Sequence, residues 1–91
     1  MTSKLEYISQ GPSGYIVYKN NETSFKLYYE FGGGNCIVTV YIPQDWERET
    51  NTKLEEKQGI LDFISKQVIL DKAPNSYSEI VEDKWLNIMK S

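Results

Sequence analysis

Phe25-Lys26-Leu27-Tyr28-Tyr29-Glu30-Phe31 is the stretch that decides the fold. Its alternation puts Phe25, Leu27, Tyr29 and Phe31 on one side and Lys26, Tyr28 and Glu30 on the other, the period of two expected of a strand with one buried face. Downstream, Gly32-Gly33-Gly34-Asn35 interrupts the pattern. Cys36-Ile37-Val38-Thr39-Val40-Tyr41-Ile42 then resumes it as far as Pro43, which cannot donate to a sheet ladder. Two such runs around a short glycine loop predict a β-hairpin, the glycines supplying the positive φ values that tight turns need. In the second run Cys36, Val38, Val40 and Ile42 share one face and Ile37, Thr39 and Tyr41 the other, so both faces carry apolar groups.

Working outward, Tyr15-Ile16-Val17-Tyr18 is aromatic and β-branched and predicts a strand, and Lys19 to Ser24, with Asn20-Asn21, predicts the reversal after it. Residues 4 to 9 predict a short first strand that ends at the turn-forming Gly11-Pro12-Ser13-Gly14. On the C-terminal side, residues 44 to 52 are polar around Trp46 and predict a loop or a short helical turn. Thr52-Lys53-Leu54-Glu55 fits a capping box, so a helix is expected to begin there. At about 100° per residue, Leu54, Ile60, Leu61, Ile64 and Val68 fall within an arc of roughly 120°, a stripe that faces a core. Gly59 in that helix costs about 1 kcal/mol relative to alanine unless something packs closely against it. Asp71-Lys72-Ala73-Pro74-Asn75 ends the helix, because proline disfavours helical geometry at the residue before it. The tail from Tyr77 to Lys90 predicts either two short strands joined at Asp83-Lys84 or one bulged strand.

Strands before one long helix, then a closing strand, predict an α+β domain spanning residues 1–91. Its expected architecture is an antiparallel sheet of three to five strands, built from meanders and hairpins, with the helix packed on one face. The chain has 91 residues, 40% of them hydrophobic and 25% charged, close to ordinary globular usage and sufficient for one core.

Several function classes are excluded or disfavoured. There is no histidine, which removes Ser-His-Asp and Cys-His catalysis, histidine zinc sites and an imidazole switch. A single cysteine, Cys36, can neither close an intramolecular disulfide nor supply a thiolate cluster, and its alternation with valines marks it as a buried hydrophobe. No metal or other cofactor is indicated. A net charge of -3 with no cluster of Lys and Arg is a poor footprint for nucleic acid. The first twenty residues hold no continuous apolar run, so neither a signal peptide nor a membrane span is expected, and the expected location is the cytoplasm. The glycine run at 32–34 leads into a strand rather than a helix, unlike the common phosphate loops. Asp45, Glu47, Glu49, Glu55 and Glu56 lie around helix starts, where carboxylates are usually solvated, and no catalytic motif marks the chain as an enzyme.

What remains is tyrosine placement. Tyr15, Tyr18, Tyr28, Tyr29 and Tyr41 lie in predicted strands, and one helix covers only one face of a sheet. If Phe25, Leu27, Tyr29 and Phe31 meet the helix, Tyr28 points away from it, and Ile37 and Tyr41 join Tyr28 where the hairpin register allows. A face of this kind suits a binding module that forms a homodimer or grips one protein partner, as an accessory or inhibitor protein would, unless the tail strands or the loop around Trp46 cover it within the monomer or the tyrosines serve only as good strand formers. An alternative is a small-ligand-binding protein or an enzyme with a pocket between the helix and the sheet edge near Trp46, Asp45 and Glu47. The interface or ligand-binding candidates are therefore Tyr28, Ile37, Tyr41, Tyr15, Tyr18 and Trp46.

Overall fold

Six strands form one fully antiparallel sheet in a computed structural model that describes residues 3–32 and 35–90. β1 (Lys4–Gln10), β2 (Ser13–Lys19), β3 (Ser24–Gly32) and β4 (Asn35–Thr39) make a meander. Two helices follow, α1 (Pro43–Thr50) and α2 (Lys57–Lys72), and the chain closes with the hairpin β5 (Ser76–Val81) and β6 (Trp85–Lys90). The strand order is β1-β2-β3-β4-β6-β5, because β6 returns to pair with β4. The expected α+β class and antiparallel sheet hold. The strand count is six rather than three to five, because the tail forms two strands and each has a place in the ladder.

Local chemistry explains the turns. Gln10 pairs with Ser13 across Gly11-Pro12, with Gly11 at φ 75°, a conformation that a side chain would strain. The Asn20 side chain accepts from the amides of Glu22 and Thr23 at 2.8 and 2.9 Å, shaping the reversal between β2 and β3. Gly32 pairs with Asn35 and does not have a positive φ, and the rest of the predicted glycine loop, Gly33 and Gly34, lies outside the described residues. The tail hairpin turns at Glu82-Asp83, one residue earlier than expected, with both residues left-handed at φ 53° and 57° and the Lys84 amide donating to Val81 O at 3.2 Å. β4 stops at Thr39, short of the predicted Ile42, although the Val40 amide still donates to Lys84 O at 2.7 Å.

The polar window at 44–52 is helical as far as Thr50. Pro43 opens α1, where its missing N–H costs nothing, and Asn51 closes it in the left-handed conformation at φ 57°. Trp46 and Thr50, one turn apart, are its buried residues. The capping box predicted at Thr52 does not form. Thr52 Oγ1 instead accepts from the Trp46 indole N–H at 2.8 Å, and the Lys53 amide donates to Glu56 Oε2 at 3.2 Å. The chain makes a 3-10 turn over Leu54–Glu56 before α2, which throws Leu54 out of the predicted stripe and leaves it exposed. Ile60, Leu61, Ile64 and Val68 keep their places in the buried face, with Lys57 and Ser65 beside them.

α2 begins beside the β5–β6 turn, where Lys57 Nζ donates to Asp83 O at 2.9 Å. It ends beside β1, where Asp71 accepts from the Tyr7 hydroxyl at 2.8 Å. The core lies between α2, α1 and the inner sheet face, with Ile16, Leu27, Val38, Leu86 and Ile88 rising from four strands and Trp46 seated edge-on against Phe25 at 5.6 Å. Both helices occupy this side, so the other face of the sheet has no helical cover.

Candidate functional site on the outer sheet face

Register defines the uncovered face. Tyr15 stands between Ile8 and Tyr28 on β1, β2 and β3, and Trp85 stands between Thr39 and Val81 on β4, β6 and β5. Glu30 opposite Ile37 sets β3 against β4, which brings Tyr28 level with Thr39. The result is one row across all six strands, Ile8-Tyr15-Tyr28-Thr39-Trp85-Val81, with Ile8 42%, Tyr15 36% and Tyr28 38% exposed. On one side of this row lie Val17, Lys26 and, just past the end of β4, Tyr41. On the other lie Ser13, Glu30, Ile37 and Asn87, with Ile37 48% exposed. Ile8, Tyr15, Tyr28 and Ile37, all left to solvent on one face, contrast with the inner face, where the corresponding positions of the central strands are sealed.

The row is held in a defined geometry. Tyr15 and Tyr28 meet edge to face at 5.8 Å, and Lys26 Nζ lies 5.5 Å from the Tyr15 ring centre. The Tyr28 hydroxyl donates to Glu30 Oε1 at 3.0 Å, and the Tyr41 hydroxyl donates to Lys26 O at 3.3 Å. Burial, with the nearby Glu49 charge second, raises the Tyr41 pKa, so that hydroxyl stays a donor at neutral pH. Where β4 ends and Tyr41 swings across, Tyr15, Lys26, Tyr28 and Thr39 line a groove of about 390 Å³. Asn87 Oδ1, on the same face, is buried without a hydrogen-bond partner among the described residues.

The structure thus brings together Tyr15, Tyr28, Ile37 and Tyr41. It places the other two candidates elsewhere. Tyr18 lies on the inner face, 3% exposed, with its ring against Phe25 and Phe63. Its parity is opposite to that of Tyr15, which puts it under the helix. Trp46 is 0% exposed and spends its N–H on Thr52 and on Lys53 O, so it does not line a ligand pocket. The carboxylates near it are also engaged, Asp45 and Glu49 with Arg48 and Glu47 with the Leu54 amide. Sequence reasoning missed Ile8, Val17, Trp85 and Val81. Each needs the strand order and register to be assigned to the outer face.

Other features are structural. The Cys36 thiol, buried on the inner face, is pushed up to about 11 by desolvation, so it is not a nucleophile at neutral pH. Lys57 is held below the usual lysine range by burial, partly offset by the charge of Asp83. A second surface groove, about 330 Å³, runs beside Tyr18, Asn20, Glu55, Gly59 and Phe63. A side chain at Gly59 would meet nothing within 4 Å, so close packing does not explain that glycine. Among the described residues there is no group of three or more metal-ligating side chains, and no helix is long and apolar enough to cross a membrane. Comparisons with protein-family models, with curated proteins and with solved structures return no match.

Proposed function

We propose that this protein is a small interaction module that binds another protein surface through its outer sheet face, with Tyr15, Tyr28 and Ile37 as anchors and Tyr41 at the margin. The observation that carries this reading is the row from Ile8 to Val81, aromatic at Tyr15, Tyr28 and Trp85, on the side of the six-stranded sheet that neither helix covers. Tyrosines fixed by ring contacts and hydrogen bonds present apolar area at little entropic cost, which is the composition favoured at the centres of protein interfaces. The side-chain chemistry fits binding better than catalysis, since the carboxylates around α1 are tied into ion pairs and caps and the only thiol is sealed in the core.

Amide resonances of the labelled protein, followed through a dilution series and after addition of lysate from its native host, test the proposal. Shifts or broadening confined to β2, β3, β4 and β6, and lost in the folded Tyr28→Ser/Tyr41→Ser protein, are the expected result. Changes that map to the solvent face of α2, or to no contiguous surface, defeat it.

A further inference from the structure

We infer that the occupant of the outer face is a second copy of this chain, packed face to face about a two-fold axis that runs across the strands and passes over Tyr28. This inference rests on the binding role proposed for that face and adds the identity and orientation of the partner.

Charge selects both. Lys26 and Glu30 stand two residues before and two residues after Tyr28 on the same face of β3, and neither makes an ion pair among the described residues. Glu30 holds only the Tyr28 hydroxyl, and Lys26 lies over the Tyr15 ring. In an isologous contact, residue i of one subunit meets residue j of the other and j meets i. A two-fold axis along the aromatic row exchanges the rows on either side of it. Lys26 of each copy then faces Glu30 of the other, two reciprocal ion pairs created by one symmetry operation. The same operation stacks the row of Tyr15 and Tyr28 on itself and sets Tyr41 of one copy over Ile37 of the other, apolar against apolar.

An axis along the strands also packs the two faces in alignment. Placed between β3 and β4, it sets Lys26 over Tyr41 and Glu30 over Ile37, leaving each charge without a counter-charge; placed over β3, it sets like charge on like. Sheets packed face to face cross at about 30°, so the edge strands diverge and Glu79 and the Glu82-Asp83 turn stay at a wet margin. The area is adequate. Five inter-strand spacings of about 4.8 Å by about 20 Å of strand give a flat patch of roughly 500 Å². Two such patches bury about 1,000 Å² in all, the lower end of specific interfaces.

The test is a charge exchange read by sedimentation equilibrium at low salt, on wild type, Lys26→Glu, Glu30→Lys and an equimolar mixture of the two variants. Wild type is expected to dimerise. Each variant alone places like charges opposite each other twice and is expected to raise the dimer Kd by about tenfold or more. In the mixture one chain is acidic at both positions and the other basic at both, so the heterodimer restores two opposite-charge pairs and is expected to return close to the wild-type Kd. Both side chains are exposed, and circular dichroism verifies that each variant is folded. A wild type monomeric at every concentration overturns the inference, as do variants that dimerise like wild type or a mixture that fails to recover. Failure of this inference and failure of the binding role are separable. A monomer whose outer-face resonances still respond to host lysate retains the binding role and loses the second copy.

Discussion

Replacing Trp46 with phenylalanine isolates what holds the 44–52 segment to the core. Trp46 has no exposed surface, packs edge-on against Phe25 at 5.6 Å, and gives its N–H to Thr52 Oγ1 at 2.8 Å and to Lys53 O at 3.2 Å. Phenylalanine retains an aromatic ring but loses about three ring atoms. At ~0.8 kcal/mol per CH₂-sized group, that is about 2 kcal/mol of lost burial. The carbonyl of Lys53 and the hydroxyl of Thr52 lose their donor in a partly closed site, adding about 1 kcal/mol. The sum, about 3 kcal/mol, is a large fraction of the roughly 9 kcal/mol typical of a 91-residue chain. With a urea slope of about 1.5 kcal/mol per M, the midpoint falls by about 2 M. Circular dichroism is the right reporter, because one of the two tryptophans is gone and Trp85 lies on the other face. A midpoint shift below about 0.3 M, or ~0.5 kcal/mol, would refute the claim that this indole anchors α1 and the 3-10 turn.

Two further outcomes follow from local geometry and charge. Glu82 and Asp83 both occupy left-handed backbone, at φ 53° and 57°, where asparagine and glycine fit better than glutamate and aspartate; Glu82→Asn with Asp83→Gly is expected to raise stability by about 1 kcal/mol, read as a higher thermal midpoint, and an unchanged or lower midpoint counts against the turn described. The Tyr7 pKa is raised well above its usual value, first by burial and then by its hydrogen bond to Asp71. Its stabilising effect is therefore fully present below the unfolded value of about 10 and is lost as pH rises through the higher folded value. Tyr7→Phe is expected to cost about 1 kcal/mol or less at neutral pH, since the pair is partly exposed, and to flatten the alkaline decline in stability. An alkaline limb identical to wild type in urea titrations across that range would contradict it.

Much of the fold is legible in the chain because burial leaves a period. Phe25 through Phe31 and Cys36 through Val40 alternate as a half-buried strand must, and Ile60, Leu61, Ile64 and Val68 recur as a helix packed on one side must. Leu54 breaks the second pattern for a reason that no periodicity carries. The Trp46 indole takes the Thr52 hydroxyl that a capping box requires, and the turn that results tilts Leu54 outward.

The candidate face was half legible. Tyr28 and Ile37 oppose clear inward neighbours, so their direction follows from parity. Tyr15 and Tyr18 sit in a run that is apolar at every position, with Ile16 and Val17 between them both buried, and such a run carries no parity signal. Only pairing with β3, Tyr15 opposite Tyr28 and Tyr18 opposite Phe25, sends one outward and the other into the core. Trp46 stood alone in a polar window, and its burial is decided by where α1 sets it down against Phe25. Local alternation was enough to say which segments are strands and which helical stripe is buried, but it left open whether the tail would cover the tyrosine face. It could not say that β6 pairs with β4, that the row from Ile8 to Val81 lies on the uncovered face, or whether Tyr15 or Tyr18 joins Tyr28 there. Strand order and register depend on contacts between residues distant in the chain, and no local pattern encodes them.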